Sequence, residues 1–280
     1  MDGKNSQQQQ SPYNGANRPL SSGDVTQILN RFNVTLKHRN TDLYRQAFVH
    51  RSYCVRKNES VVDGNAKCPD GCMPLQPESN ERLEFLGDAV INLVVANYLY
   101  RRYPDDNEGF MTRIRTKLVN GTMLASLSEA VGFHRHLVIS KQVESNAGRM
   151  NSKLLEDCFE AFVGAMYTDF NCVRIKSDKL GGCGIGYQVV EQWLVGLLED
   201  IVDFSELISF QENHKERLIR FMQSQFGQPP RFAVVSEADG AVTVAVRHGN
   251  EVISTASADT RKGAESLAAI GALKYLGAMK

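Results

Sequence analysis

Glu81, Glu84 and Asp88 stand at i, i+3 and i+7 within the stretch Asn80 to Ile91. At that spacing three carboxylates share one helix face, beside an apolar stripe of Leu83, Leu86, Val90, Leu93 and Val94. A second set follows far along the chain, with Asp157 and Glu160 at i, i+3 and Lys153 four residues before Asp157. Either set alone reads equally as a solvated acidic face. Two such helices packed together would instead pool Glu84, Asp88, Asp157 and Glu160 in one cleft. Four carboxylates at low dielectric do not all stay ionised unaided, so some take up protons or a hard divalent cation joins them. Ligands that are all oxygen favour Mg²⁺ or Mn²⁺ over zinc. Carboxylate-held Mg²⁺ commonly serves phosphoryl transfer or phosphodiester hydrolysis. A di-iron bundle is the competing chemistry, but it needs Glu-x-x-His on its helices, and that pattern is missing here.

The elements that must position these acids are helices. Helical spacing runs from Glu81 without a proline until Pro104, and again from Lys153 to Tyr167. Ala161, Gly164 and Ala165 are small enough to let a neighbouring helix approach closely. Asp24 is a suitable N-cap for a first helix through Phe32, and Thr41 or Asp42 for a second. Glu108-Gly109-Phe110 opens a helix with Ile114 and Leu118 inward, Met123 to Val131 forms another, and helix resumes from Tyr187 to Val202. Residues 1–23 are expected to be a disordered, Gln-rich leader. An all-helical domain should fill 24–208, with loop insertions at 56–79 and 171–186.

After Phe210 the pattern changes. His214 to Phe226 is amphipathic, three β-branched runs follow (Phe232–Val235, Val242–Val246, Val252–Ser257), and a last helix spans Thr260 to Leu276. This predicts a small α-β-β-β-α domain over 212–280. Residues 211–280 hold nine Lys/Arg and seven Asp/Glu, a slight basic bias.

The whole chain of 280 residues has zero formal charge, so composition lends no support to nucleic-acid binding. At 42% hydrophobic and 23% charged residues it reads as a soluble protein. No apolar run approaches the roughly 20 residues that span a bilayer. The leader has neither the apolar core of a signal peptide nor the arginines of a transit peptide, which predicts an intracellular protein, cytoplasmic or nuclear. Six irregularly spaced cysteines are then expected as free thiols. His50, Cys54, Cys68 and Cys72 could supply four zinc ligands, although the spacings are unusual and the alternative is a loop that contains cysteines. His50 is expected to be a packed, hydrogen-bonded structural residue.

The stretch Asn80-Glu-Arg-Leu-Glu-Phe-Leu-Gly-Asp-Ala-Val resembles the signature motif of the ribonuclease III family. Leu155-Glu-Asp-Cys-Phe-Glu-Ala-Phe-Val-Gly-Ala is similar to its second acidic motif, and Phe48-Val-His-Arg-Ser-Tyr to an upstream one. The small C-terminal domain resembles the double-stranded RNA-binding domain that follows the nuclease. The resemblance implies an all-α endonuclease domain that forms a homodimer, holds duplex RNA in a valley, and uses Mg²⁺, with Mn²⁺ as a substitute. It implies metal ligands at Glu84, Asp88, Asp157 and Glu160, with Asp88 and Glu160 tied most directly to hydrolysis. Lys153 matches a basic position near the scissile phosphate, Glu81 and Glu108 match supporting acids of the cleft, and Phe85 matches an aromatic at the dimer interface. Arg261 and Lys262 match a phosphate-gripping pair. The family's Gly-Pro-x-His loop is replaced here by Glu237-Ala-Asp-Gly240.

Two classes of function follow. One is an active endoribonuclease leaving short-overhang duplexes with 5′-phosphate and 3′-hydroxyl ends, in RNA processing or silencing. The other is a non-catalytic protein that sequesters duplex RNA or sits in a ribosome. The resemblance gives no natural substrate.

Overall fold

Capping residues set the helix starts of this computed structural model, which describes residues 11–55, 68–171, 184–209, 214–238 and 240–279. It divides into two units, residues up to Val202 and residues from Asp203.

In the first unit, α1 (Ser22–Arg31) is capped by Ser21, and Asp24 is its third residue instead of its cap. The Ser21 side chain takes the Asp24 N–H and the Asp24 carboxylate takes the Ser21 N–H, a reciprocal box that satisfies two otherwise orphan donors. Asn40, not Thr41 or Asp42, caps α2 (Thr41–Ala47) through the Asp42 N–H. A 3-10 turn at Arg51–Tyr53 follows, then the long α3 (Glu81–Arg102). Asn107 and Asn120 cap α4 (Glu108–Leu118) and α5 (Gly121–Val131), and Gly132 closes α5 at φ 90°. The short α6 (Lys141–Ser145) leads to α7 (Ser152–Asn171), and α8 (Gly186–Ile201) completes the unit. Strand-like pairing among the described residues here is limited to the isolated bridges Val49–Val138 and Cys54–Gln76.

The core is built around α7, where Phe159, Ala161, Phe162, Val163, Ala165 and Met166 are fully buried. Phe162 is ringed by Phe133, Tyr44 and Trp193 at centroid distances of 4.8, 5.4 and 5.4 Å. Against it lies α3. With 22 residues, α3 has the length the sequence pattern predicts, and it is long and apolar enough to cross a membrane, although no apolar run of that length was expected. Val90, Ile91, Val94, Val95 and Leu99 are nonetheless buried inside the unit, as in the core helix of a bundle.

The leader needs correction. Residues 1–10 lie outside the described residues, but residues 11–23 are anchored and not disordered. Asn14 and Asn17 are buried, and each donates to the Ile139 carbonyl at 3.1 Å. Asn17 Oδ1 accepts the Ile139 N–H, and Asn14 also donates to Glu144. Polar side chains that complete buried backbone hydrogen bonds look, in a sequence, like those of a solvated tail. The two expected insertions fall largely outside the described residues, at 56–67 and 172–183. Their flanks are tied down: Val55 and Tyr53 bond Gln76, and Asn171 Oδ1 accepts from the N–H groups of Gly184 and Gly186.

The second unit begins earlier than the expected 212, because α9 (Phe204–Ser209) belongs to it. Then come α10 (His214–Phe226), β1 (Arg231–Ala238), β2 (Ala241–His248), β3 (Glu251–Ala258) and α11 (Arg261–Tyr275). The strands form one antiparallel sheet in the order β1-β2-β3. Leu218, Met222, Val246, Ala268, Ala269, Ala272 and Leu273 make its core between one sheet face and the two longer helices.

Candidate active site

Two glycines decide how near the acidic helices come. A Cβ added at Gly87 of α3 would fall closer than 3.0 Å to the Glu160 backbone oxygen, and one added at Gly164 of α7 would crowd the Leu83 backbone oxygen. Backbone thus lies on backbone, and side chains flanking the contact converge. Carboxylate oxygens of Glu84, Asp157 and Glu160 all lie within 4.8 Å of one another. They line a cleft of about 720 Å³ together with Glu81, Asp88, Lys153, His50, Arg51 and Phe85.

The expected quartet is therefore split. Asp88 lines the same cleft, but its side chain is exposed and accepts a hydrogen bond from Asn92 at 2.9 Å. Glu81 sits at the rim, 3.8 Å from Arg51 and hydrogen-bonded by Ser79. Glu108, expected among the cleft acids, is not part of the lining. It lies in the first turn of α4 and accepts from Thr112 at 2.8 Å.

The electrostatics are those of acids brought together out of water. Burial pushes the Glu160 carboxyl up to about 8, with Asp88, Glu156 and Glu84 adding to the effect and Lys153 opposing it. Glu84 is raised for the same reasons, burial first and Asp157 next. Lys153 is the counter-charge: its ammonium stands 2.8 Å from Asp157 Oδ1 and 3.4 Å from Glu156. Contact with Asp157 holds it well above the usual lysine range. Asp157 Oδ1 is buried, and the Lys153 ammonium is the cation it faces. The donor set is entirely carboxylate oxygen, which fits a hard divalent ion.

His50 is half-buried and caps the turn Arg51–Tyr53, its Nδ1 accepting the Ser52 N–H at 3.3 Å. Burial lowers its pKa. It also lines the cleft, as does Arg51, and neither was assigned a place there from spacing. The signal was present in the Phe48–Tyr53 motif, which precedes α3 and delivers both side chains to its N-terminus. His50, Cys54, Cys68 and Cys72 do not converge on a metal-sized site among the described residues. Cys68 Sγ instead donates to the Cys72 carbonyl at 3.3 Å, and all three are free thiols.

Phe85 projects from α3 with 82% of its surface exposed, and Leu93 and Tyr100 of the same helix are also exposed. In the second unit, Arg261 and Lys262 are exposed at the start of α11, but Arg261 is paired with Glu265 at 3.1 Å. Lys215 pairs with the same carboxylate. Part of the expected phosphate-binding charge is thus already neutralised.

The profile of the Ribonuclease III domain matches residues 81–171, the segment that carries both acidic helices. A ribonuclease 3 from Chlorobium luteolum is 33% identical over 240 residues, covering 84% of this chain and 76% of that protein. The chain belongs to the ribonuclease III family. A probable ribonuclease 3 from Acanthamoeba polyphaga mimivirus is 30% identical over 264 residues, which is 92% of this chain but 46% of that protein. This ribonuclease III chain therefore spans about half the length of its mimivirus relative. The nuclease domain of ribonuclease III from Campylobacter jejuni aligns at 25% identity and a TM-score of 0.47, covering 64% of this chain and 97% of that one. Within the ribonuclease III match lie Glu84, Asp88, Asp157, Glu160 and Lys153.

Proposed function

We propose that this ribonuclease III-type endoribonuclease hydrolyses double-stranded RNA with Mg²⁺, or Mn²⁺ in its place, inside the cell. The observation that carries the reading is the convergence of Glu84, Asp157 and Glu160 at the floor of a cleft that Asp88 and Lys153 also line. Glu84, Asp88, Asp157 and Glu160 would hold the metal, which when bound activates water and neutralises charge on the scissile phosphate. The chain's own residues do the rest. Glu160, after losing its proton to solvent, would be free to serve as a ligand, Asp88 at the open side would meet the water or the leaving oxygen, and Lys153 would offer positive charge to the phosphate. Arg51 at the rim fits a neighbouring phosphate of the same strand. Cleavage on the side that leaves the phosphate with the 5′ end gives 5′-phosphate and 3′-hydroxyl products.

One cleft cuts one strand, so a duplex needs two. Phe85, exposed beside the acids, suits burial in a second copy of the chain, which would place two clefts along one duplex. The test is direct: purified chain is incubated with a long RNA duplex, with Mg²⁺ or with a chelator, and the ends are mapped. Duplex that stays intact with Mg²⁺ would leave only the non-catalytic binder.

A further inference from the structure

The second unit has a sheet face turned away from its helical core, with Ala245 buried at its centre and polar side chains exposed around it. Phe232 and Val246 pair across β1 and β2 and pack inward, and Ser254 of β3 bonds the Ala268 carbonyl of α11. Alternation puts their strand neighbours on the other side. There Arg231 and Arg247 lie directly opposite each other, both exposed. Farther along the same face, Ser236, Thr243 and Ser257 form a row across all three strands, with the Thr243 and Ser257 hydroxyls 2.8 Å apart, and Thr255 stands beside them. Among the described residues this face carries no carboxylate and no aromatic ring. Neither arginine has an ion-pair or hydrogen-bond partner among them. Like charges directly opposed across a pair of strands are unfavourable. An anion bridging them would relieve that repulsion.

We propose that this open face binds the phosphodiester backbone of duplex RNA, Arg231 and Arg247 taking phosphates and the hydroxyl row supporting the next ones. Arginine and serine or threonine hydroxyls are the usual phosphate partners, and they carry no sequence information. The occupant is a duplex and not a single strand, because single strands are held by stacking on aromatic side chains, which this face lacks. The contact compensates for the charge that Glu265 withdraws from Arg261 and Lys215 at the other side of the unit. It rests on the reading of duplex RNA as the substrate.

The experiment uses the full chain carrying Glu160→Gln, so that RNA is bound and not cut. Affinity for a labelled duplex of about 20 base pairs is measured against salt concentration, beside a single strand of equal length. Arg231→Gln/Arg247→Gln should weaken duplex binding roughly tenfold and lower the slope of log affinity against log salt by about 2, one per lost phosphate contact. Arg231→Lys/Arg247→Lys should keep most of that slope, which separates lost charge from lost fold. An unchanged slope in the glutamine variant overturns the proposal, and so does an equal loss for the single strand. Failure of the substrate reading itself would show differently, as wild-type chain that neither binds nor cuts duplex.

Discussion

Gly87 lies against the backbone oxygen of Glu160 so closely that a single Cβ does not fit between them. The contact joins the signature helix to the second acidic helix one residue from Asp88, so helix packing and site geometry are set at the same point.

Gly87→Ala should therefore damage both. Overpacking of a closed contact costs about 1–3 kcal/mol, and the only relief is to move α3 away from α7. We expect a lower Tm together with weakened Mn²⁺ binding by paramagnetic resonance. A variant with wild-type Tm and metal affinity would contradict this account of the helix contact.

Asp88→Asn and Glu160→Gln should each lower cleavage by more than about a hundredfold, since each removes one ligand charge from the metal site. Duplex binding in the absence of divalent ions should persist. Cleavage retained by both variants would sink the assignment of the acids.

Glu160 also predicts a pH dependence. Its carboxyl lies at about 8 in the folded protein against an ordinary 4.5, so between those values the folded state binds more protons than the unfolded one. The stability of the metal-free protein should then fall as pH rises from about 4.5 to 8, and metal affinity should rise over the same range. Glu160→Gln should flatten the stability profile and stabilise the metal-free chain above pH 8 by about 1–2 kcal/mol. Urea denaturation in chelator at several pH values tests this, and parallel profiles for wild type and variant would count against it.

Lys153→Met removes the ammonium 2.8 Å from Asp157 and leaves the acids without their nearest cation. The pKa of Glu160 should move further up, and kcat should drop by roughly 10- to 100-fold with a smaller effect on KM. Steady-state kinetics with a labelled duplex would show it; a pure KM effect would place Lys153 in binding alone.

Phe85→Asp should leave the fold of the single chain intact, because the ring has 82% of its surface in solvent. Association of two chains should weaken, since a charge replaces an aromatic anchor at the contact. Sedimentation velocity of wild type and variant gives the answer, and identical distributions would remove Phe85 from the interface.

Much of this was readable in advance where local pattern decides structure. The two acidic helices, Lys153 preceding Asp157 by one turn, and the helix-strand-strand-strand-helix order after residue 210 all follow from periodicity and turn residues. Cap identity was less legible: Asp24 serves as third residue of a capping box and Asn40 displaces Thr41, because several polar residues at a helix start compete for one role. The anchored segment around Asn14 and Asn17 was not legible at all. Its partners, Ile139 and Glu144, lie far along the chain, and nothing local distinguishes an asparagine that completes buried hydrogen bonds from one in a solvated tail.

The sequence by itself determined the residue types of the site, their order on two helices, and the family they indicate, since each of these depends on neighbours within a turn or two. Tertiary structure alone decided that Glu84, Asp157 and Glu160 meet while Asp88 stays at the open side and Glu108 outside. It also decided that Glu265 neutralises part of the charge of Arg261, and that Arg231 stands directly opposite Arg247 on the neighbouring strand. The reason is physical: burial, desolvation and charge pairing depend on distances between segments remote in sequence, and those distances are set by the packing of glycine on backbone and strand on strand.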